Sequence, residues 1–358
     1  MNFTRQFALI ALFATGSSFV HAIPKKTALK AKTAAPKAAP AKPTPRLIRE
    51  VMGTTQLVGY EGGLGQTFTL GKDMPFNFTL KSAEYTVNRL NVGTQTIFPK
   101  GDEKLLVLHF TAHNPTAKSF HFSSNYLSFI AIDSSGVTRK YINELAREVT
   151  SESVGLQLNP GQKIDAYTII RVAAFGAVPK LIVGHIYETK APIIRYDLRS
   201  IAKKLVAPYA DPTDNSGATA LKLVAAKTGV FYPVSDPFDA RLEKIEYSTE
   251  KMGGREPGTG QKYCFATFTI RNGSKKSVNA SYSYFRADLK DADGEKTAYT
   301  TSMLKASRDE ESSTQLAPGE EIRVRFYWPI PENVTAKTVL LQYGYDREAR
   351  TFAFANPN

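Results

Sequence analysis

Residues 105–114 read LLVLHFTAHN, and residues 263–272 read YCFATFTIRN. In both stretches apolar side chains recur at every second position, and each stretch ends in an asparagine, Asn114 or Asn272. An apolar series of period two is typical of a β-strand with one buried face. The two stretches therefore predict the same strand twice, followed each time by a turn.

The similarity extends well beyond this strand. Leu105–Gly161 aligns with Tyr263–Gly319 without a gap, 158 residues apart, and fifteen of the fifty-seven positions are identical. A repeat of this length corresponds to a whole domain, so the sequence predicts two copies of one fold. The shared positions include Phe110/Phe268, Asn114/Asn272, Tyr126/Tyr284, Asp133/Asp291, Gly136/Gly294, Tyr141/Tyr299, Pro160/Pro318 and Gly161/Gly319.

Turn signals divide each copy into short segments. Asp133-Ser-Ser-Gly136 and Asp291-Ala-Asp-Gly294 predict hairpins, because Asp opens a turn and Gly accepts the positive φ at its end. Many short β-type segments and no long amphipathic helix predict an all-β protein of two tandem immunoglobulin-like β-sandwiches. Upstream the copies align at an offset of 162 instead of 158, which places a four-residue difference in loop length at residues 87–102.

A family resemblance rests on these same positions. Pro75-Phe76 and Glu84-Tyr85, with their partners in the second copy, precede the strand that ends in Asn, the Asp-x-x-Gly turn and the Leu-x-Pro-Gly turn. The series resembles the telokin-like, immunoglobulin-like extracellular domains of bacteria, over most of Leu47–Arg199 and over Val230–Phe354. The resemblance implies an immunoglobulin-like sandwich, an extracytoplasmic location and a non-enzymatic role. It supplies no catalytic residues.

The N-terminus has the features of a secretory signal at residues 1–22. Arg5 gives a positive start, Phe7–Ala14 is a short apolar stretch, and Val20-His21-Ala22 offers small residues for cleavage. The apolar stretch is much shorter than the roughly 20 residues that span a bilayer. We therefore expect an exported protein, periplasmic or secreted, without a transmembrane anchor.

The net charge of +13 is unevenly distributed. Residues 1–46 carry eight Lys or Arg and no Asp or Glu, whereas the remaining residues carry 38 against 33. Residues 23–46 consist mostly of Lys, Ala, Pro and Thr, which predicts a disordered basic tether. Two interpretations stay open: contact with an anionic envelope surface, or a spacer that lysines keep soluble. Because the excess lies outside the predicted domains, nucleic acid is not an expected partner.

The predicted domain organisation follows from these signals. The first sandwich is placed at residues 47–207 and the second at residues 218–358. Between them, residues 208–217 read PYADPTDNSG, which has the composition of a linker.

The sequence contains little that points to catalysis. Cys264 is the only cysteine and lies in a strand-like segment, which favours a buried apolar role over a reactive thiol. His109 and His113 share a strand face but would lie roughly 13 Å apart, too far to bind one metal ion. The acidic run that includes Glu310 and Glu311 reads as solvated loop charge. The sequence therefore predicts no catalytic residue, no metal site and no cofactor.

Aromatic residues of the second copy supply the one candidate site. Tyr282, Trp328 and Tyr343 are predicted to contribute to a binding face, since Tyr and Trp are enriched at recognition surfaces. The alternative is that they pack the sandwich core. The predicted function is an exported, non-enzymatic binding or scaffolding protein of the cell envelope, with a protein or a cell-wall polymer as partner. The alternative is a carbohydrate- or peptide-processing enzyme, or the accessory binding domain of one.

Overall fold

The structure is a computed structural model that describes residues 62–188, 193–252, 254–298, 303–344 and 349–356. The predicted signal peptide (1–22) and basic tether (23–46) lie outside the described residues, as do residues 47–61 of the predicted first sandwich. Within the described ranges, no helix has both the length and the apolar character that crossing a membrane requires.

The first half of the described chain forms two main sheets. One has the strand order β1-β2-β5-β11-β9 and the other β13-β12-β7-β8, with two small pairs, β6–β10 and β3–β4. The elements are β1 (Thr67–Leu70), β2 (Phe76–Thr86), β3 (Leu90–Val92), β4 (Gln95–Ile97), β5 (Glu103–His113), β6 (Phe120–Ser123), the 3-10 helix η1 (Ser124–Tyr126), β7 (Leu127–Ile132), β8 (Thr138–Lys140), β9 (Ala146–Arg147), β10 (Gly155–Leu158), β11 (Lys163–Ala173), β12 (Lys180–His185) and β13 (Ile194–Tyr196).

The second half also forms two main sheets. Their strand orders are β15-β16-β17-β23-β21 and β14-β25-β24-β19-β20, with the small pair β18–β22. The elements are β14 (Leu223–Ala226), β15 (Tyr232–Pro233), β16 (Phe238–Ser248), β17 (Gln261–Asn272), β18 (Val278–Ser281), the 3-10 helix η2 (Tyr282–Tyr284), β19 (Phe285–Asp291), β20 (Lys296–Ala298), β21 (Leu304–Lys305), β22 (Ser313–Leu316), β23 (Glu321–Pro331), β24 (Ala336–Tyr343) and β25 (Thr351–Ala355).

The two halves share one strand order. The series β2-β5-β11-β9 recurs as β16-β17-β23-β21, and β13-β12-β7-β8 recurs as β25-β24-β19-β20. The register agrees as well: Ala166 pairs with Arg147 in the first half, and Val324 pairs with Lys305 at the positions 158 residues later. The prediction of an all-β protein made of β-sandwiches is therefore confirmed. We call the two halves the first and the second sandwich.

Aromatic side chains pack between the two sheets of each sandwich. In the first, the ring of Phe129 on β7 lies 5.9 Å from Phe78 and 5.4 Å from Phe110 on the facing sheet. In the second, Phe268 on β17 lies 5.4 Å from Phe354 on β25. These buried rings are the inward members of the apolar series of period two, so the alternation in the sequence determines which face of each strand is buried.

The asparagine shared by the two copies closes the same turn in both sandwiches. Asn272 is fully buried and donates from Nδ2 to the carbonyl oxygens of Lys276 and Leu316, at 2.8 and 3.0 Å. Its Oδ1 accepts from the backbone N–H and the hydroxyl of Ser274. Asn114 makes the equivalent four bonds in the first sandwich. The repeat preserves this residue because each bond satisfies a polar group that is shielded from water.

The predicted hairpins form at the shared Asp-x-x-Gly turns. Gly136 has φ +75° and Gly294 has φ +85°, in the left-handed region that favours glycine. The carboxylate of Asp133 accepts from the N–H groups of Ser135 and Val137, both at 3.0 Å. The turn therefore joins β7 to β8, and its counterpart joins β19 to β20.

One further strand follows β12 and β24 and closes each sandwich: β13 in the first and β25 in the second. Strand β25 also pairs in parallel with β14, so the beginning and the end of the second sandwich lie side by side.

The segment predicted as a linker is folded. Asp214 accepts hydrogen bonds from the backbone N–H groups of Ser216 and Thr219, both at 2.8 Å. Tyr209 and Ala218 are buried in the hydrophobic core that runs through both sandwiches. The predicted boundaries at 207 and 218 stay predictions, but the segment between them packs against its neighbours.

Two buried basic side chains bond backbone carbonyls just after this segment, at Ala218 and Leu221. Lys104 on β5 is fully buried and donates to the carbonyl oxygens of Ala174, Gly176 and Ala218. Burial lowers the pKa of its ammonium group to about 8. Arg350, also buried, donates to the carbonyl oxygens of Leu221 and, in the first sandwich, Glu103, both at 3.0 Å.

A third basic side chain crosses directly between the sandwiches. Arg89 follows β2 in the first sandwich and forms a salt bridge of 3.0 Å with Asp239 on β16. Both side chains are about nine-tenths buried, and Arg271 bonds the same carboxylate at 2.8 Å. Because these contacts are shielded from solvent, they hold the two sandwiches in a fixed arrangement.

Candidate functional site on the outer face of the second sandwich

Trp328 does not belong to a binding face. Its side chain is 0% exposed and lies on the inner side of β23, opposite Cys264 in the register with β17. In the structure the strand continues to Pro331, and alternation along it directs Trp328 into the core.

The other two predicted binding residues are partly buried. Tyr282 lies in η2 and packs against the core. Tyr343 on β24 contacts the rings of Phe238, Phe285 and Tyr284 at centroid distances of 5.2 to 5.9 Å. Burial raises the pKa of the Tyr343 hydroxyl. The structure therefore brings none of the three predicted residues into one shared site.

Tyr343 also lines a cavity at the junction of the sandwiches. The cavity has a volume of about 320 Å³ and is bordered by Phe98 from the first sandwich and by Val234 and Pro237 from the second. Its walls are mainly apolar, with Lys100 and Asp236 at its edge. A role for Tyr343 in binding stays a prediction, at this cavity and apart from Tyr282.

The outer face of the first sandwich, on the side of β5 and β11 away from the core, is covered by the chain itself. Val92 and Ile97, on the hairpin β3–β4, are buried against Leu105, Val107 and Ile169 of that face. We call β3–β4 the covering hairpin. It arises from the region where the first copy differs in loop length from the second.

A histidine fills the rest of this face. His109 bonds Glu148 through Nδ1 at 2.7 Å, and its Nε2 lies 3.5 Å from the carboxylate of Glu84. Its ring also stacks near Tyr167, at 5.9 Å. Because a carboxylate faces each ring nitrogen, the arrangement is suited to filling space.

The equivalent face of the second sandwich is open. Thr267 and Ala306 occupy the positions of His109 and Glu148, 158 residues later, and their short side chains leave the space empty. The result is a groove of about 450 Å³ on the outer side of β16, β17 and β23. We call it the outer groove. Its lining includes Lys244, Glu246, Tyr247, Phe265, Asp309 and Arg325.

Aromatic side chains form one wall of the outer groove. Phe265 lines it and lies 6.3 Å from the ring of Tyr327, and both are partly exposed. Tyr263 is buried beside them under Met252 and Leu304. The corresponding positions under the covering hairpin carry aliphatic Val107 and Ile169. Amphipathic aromatic surface of this kind is characteristic of recognition sites.

Charged side chains line the outer groove beside the aromatic residues. Arg325 lies over the ring of Phe265 at 5.4 Å and forms a salt bridge with Asp309. Lys244 pairs with Glu246 at 2.8 Å. The outer groove therefore combines an aromatic surface with ion pairs.

Sequence reasoning did not find the outer groove. The signal was the comparison of the two copies: His109 and Glu148 become Thr267 and Ala306, while Val107 becomes Phe265. Phe265 stands on the face of its strand opposite the apolar series of period two. The change from aliphatic Val107 to aromatic Phe265, at a position that faces outward, would have indicated the outer groove.

The structure also locates the other residues that were considered for catalysis or metal binding. Cys264 is buried and unpaired, and burial raises the pKa of its thiol to about 12, as expected of an apolar core residue. From the predicted acidic run, Glu310 pairs with Lys305 at 2.7 Å. Among the described residues no group of three or more His, Cys, Asp or Glu is arranged to hold a metal ion.

Comparison with known proteins matches one family of unknown function to part of the chain. The profile of a family described as a domain of unknown function, DUF4352, matches residues 239–349, which lie within the second sandwich. No curated protein matches the chain.

Two solved structures are similar to parts of the chain. An uncharacterized β-sandwich protein from Clostridium difficile 630 is 18% identical and covers 37% of this chain and 93% of its own, with a TM-score of 0.26. The structure of GK1651 from Geobacillus kaustophilus is 10% identical and covers 70% of this chain and 98% of its own, with a TM-score of 0.10. The fold class therefore rests on the strand order of the chain itself.

Proposed function

We propose that this chain is an exported, non-enzymatic binding protein of the cell envelope, and that the outer groove of the second sandwich is its binding site. One observation carries the proposal. The same face of the same fold is closed by the covering hairpin in the first sandwich and is open, with aromatic and charged walls, in the second. An exposed concave surface with these walls is suited to a ligand.

The state of the charged groups favours binding over catalysis. Lys244 and Glu246 neutralise each other, as do Arg325 and Asp309. Paired groups of this kind orient a ligand by fixed hydrogen bonds, whereas a general acid or base needs a pKa near the working pH and access to a substrate proton. The same pairs would give specificity to a binding site.

The proposal also includes an assignment of both copies to one family. The match of residues 239–349 to DUF4352 and the recurrence of its strand order in the first sandwich support two tandem copies of one family. We assign both copies to the telokin-like, immunoglobulin-like type that the shared motifs resemble. Residues 1–22 would direct export, and residues 23–46 would contact an anionic envelope surface.

Co-sedimentation with isolated cell envelopes tests the proposal. The mature protein, a variant lacking residues 23–46 and Phe265→Ala would be mixed with envelopes from the cells that make it, across a salt series. We expect the wild type and the truncated protein to pellet and Phe265→Ala to remain largely in solution. Phe175→Ala is the matched control, because Phe175 is 70% exposed and lies outside the outer groove.

Three results would contradict the proposal. If the wild type stays in solution at every salt concentration, the chain is not an envelope-binding protein. If Phe265→Ala and Phe175→Ala both pellet like the wild type, the outer groove is not the binding site. Pelleting that is lost with residues 23–46 alone would assign binding to the tether.

A further inference from the structure

We infer that the outer groove receives a segment of polypeptide in a β-hairpin or extended conformation, supplied by another protein. This inference rests on the proposed function and specifies the chemical class of the ligand. The chain contains its own template for the complex, since the covering hairpin occupies the equivalent face of the first sandwich.

The covering hairpin is held by main-chain contacts as well as by apolar side chains. The hydroxyl of Tyr167 donates to the carbonyl oxygen of Asn91 on the hairpin. The N–H of Gly93, at the hairpin turn, donates to the carbonyl oxygen of Ser151 at 2.7 Å. Such contacts recognise any main chain of the right shape, whatever its side chains.

The second sandwich presents counterparts of these contacts. Arg325 stands at the position of Tyr167 and Asp309 at the position of Ser151, and Arg325 and Tyr167 pair with the equivalent residues Leu304 and Ala146. The loop before β17 is four residues shorter than its counterpart. Within it Met252 pairs with Arg255, packs against Tyr263 and lines the outer groove. A main-chain carbonyl placed as that of Asn91 would face the Arg325 guanidinium, which lines the outer groove.

The apolar part of the template also has a counterpart. Val92 and Ile97 insert against an aliphatic surface in the first sandwich, and at the equivalent place Phe265 and Tyr327 are partly exposed. Aliphatic side chains on one face of an incoming strand would remove these rings from water, and the alternation along a strand would direct their neighbours to solvent.

The charge of the outer groove distinguishes polypeptide from an anionic polymer. The lining contains four basic and three acidic side chains, and Lys244 and Arg325 are neutralised within it. A surface for a polyanion instead needs a basic stripe with few acids. A near-neutral groove with aromatic walls fits a peptide with one or two apolar side chains.

Selection from a displayed library of β-hairpin peptides tests the inference. The library would be panned on the mature wild-type protein, and enriched hairpins would be synthesised and titrated by calorimetry. We expect hairpins whose affinity falls at least tenfold for Phe265→Ala and for Arg325→Lys, and is unchanged for Phe175→Ala. A chimera in which residues 87–102 replace residues 249–260 should lose binding, because it would cover the outer groove from within.

A parallel arm separates this inference from the proposed function. Envelopes treated with protease to remove polypeptide, and untreated envelopes, would be compared in the sedimentation assay. If binding that depends on Phe265 survives protease treatment, the outer groove binds another envelope component and the inference is overturned while the proposed function stands. The inference is equally overturned if enriched hairpins bind all variants alike. If no binding depends on Phe265 in either assay, the proposed function fails as well.

Discussion

Lys104 allows the structure to be tested through the pH dependence of stability. Its ammonium group is fully buried at the junction, and burial lowers its pKa from 10.5 to about 8. At about 1.4 kcal/mol per pKa unit, the charged form costs the folded state about 3 kcal/mol. We predict that this cost is present at neutral pH and disappears in alkaline solution.

The sign follows from proton binding. Below pH 8 the folded and unfolded chains both carry the proton, so the full cost remains. Between pH 8 and 10.5 the unfolded chain binds more protons than the folded chain, and the contribution of Lys104 to stability rises with pH. Above 10.5 both states are neutral and the contribution is constant.

The assay compares wild type with Lys104→Met in urea at a series of pH values from 7.5 to 10.5. Unfolding would be followed by far-ultraviolet circular dichroism and by the fluorescence of Trp328, the single tryptophan. The free energy of unfolding of the wild type minus that of the variant should rise by about 3 kcal/mol across the series. Groups common to both proteins, including Cys264, cancel in this difference. Coincident transitions by the two probes would justify a two-state analysis.

The reasoning would be refuted if the difference stays flat, since Lys104 would then titrate alike in the folded and unfolded chains. Loss of three hydrogen bonds in Lys104→Met shifts the whole curve by a constant and leaves its slope unaffected. Lys337→Met, at an exposed position, is the control for replacing a lysine by methionine.

Three further predictions follow from buried groups of the second sandwich. Asn272→Ala should lower the free energy of unfolding by about 3 kcal/mol, because it leaves buried polar groups unpaired; an effect in urea no larger than that of exposed Asn279→Ala would contradict this. Trp328→Ala should cost about 4 kcal/mol through the cavity that it leaves. Circular dichroism in urea measures this cost, and a variant as stable as the wild type would contradict the burial of Trp328. Cys264, whose thiol pKa is raised to about 12, should react with iodoacetamide only after unfolding; rapid labelling of the native protein, detected by mass spectrometry, would disagree with its burial.

The sequence was sufficient for the fold because the repeat marked the positions that turns and cores require. Asn114 and Asn272 recur because each satisfies four hydrogen bonds in a buried turn, and Gly136 and Gly294 recur because their φ is positive. The ends of the strands were harder to predict from the sequence. In the structure β23 continues through Pro329 to Pro331, whereas β21 pairs only with residues 324 and 325. Beyond these residues β23 pairs, within the described part of the chain, with β17 alone, and its other side tolerates proline because no N–H donor is needed there.

The candidate site depended on information that neither copy contains alone. Trp328 drew attention because it is large, yet its position along β23 determines that it is buried. The outer groove exists because Thr267 and Ala306 are short and because the loop before β17 is too short to cover them. Each change is unremarkable in one sequence. Only the alignment of Thr267 with His109, together with the structure of the first sandwich around His109, indicates that the second sandwich leaves this space empty.

The parallel pairing of β14 with β25 has a mechanical consequence. Leu223 pairs with Thr351 and Ala226 with Phe354, so the chain enters the second sandwich at one end of this pair and leaves it at the other. A force that pulls the two ends of the sandwich apart slides the strands along each other and loads all their hydrogen bonds together. An antiparallel pair loaded at its open end would separate one bond at a time. A sandwich loaded through both of its chain ends would resist unfolding through this geometry, with its lifetime under load determined by the rate of unfolding.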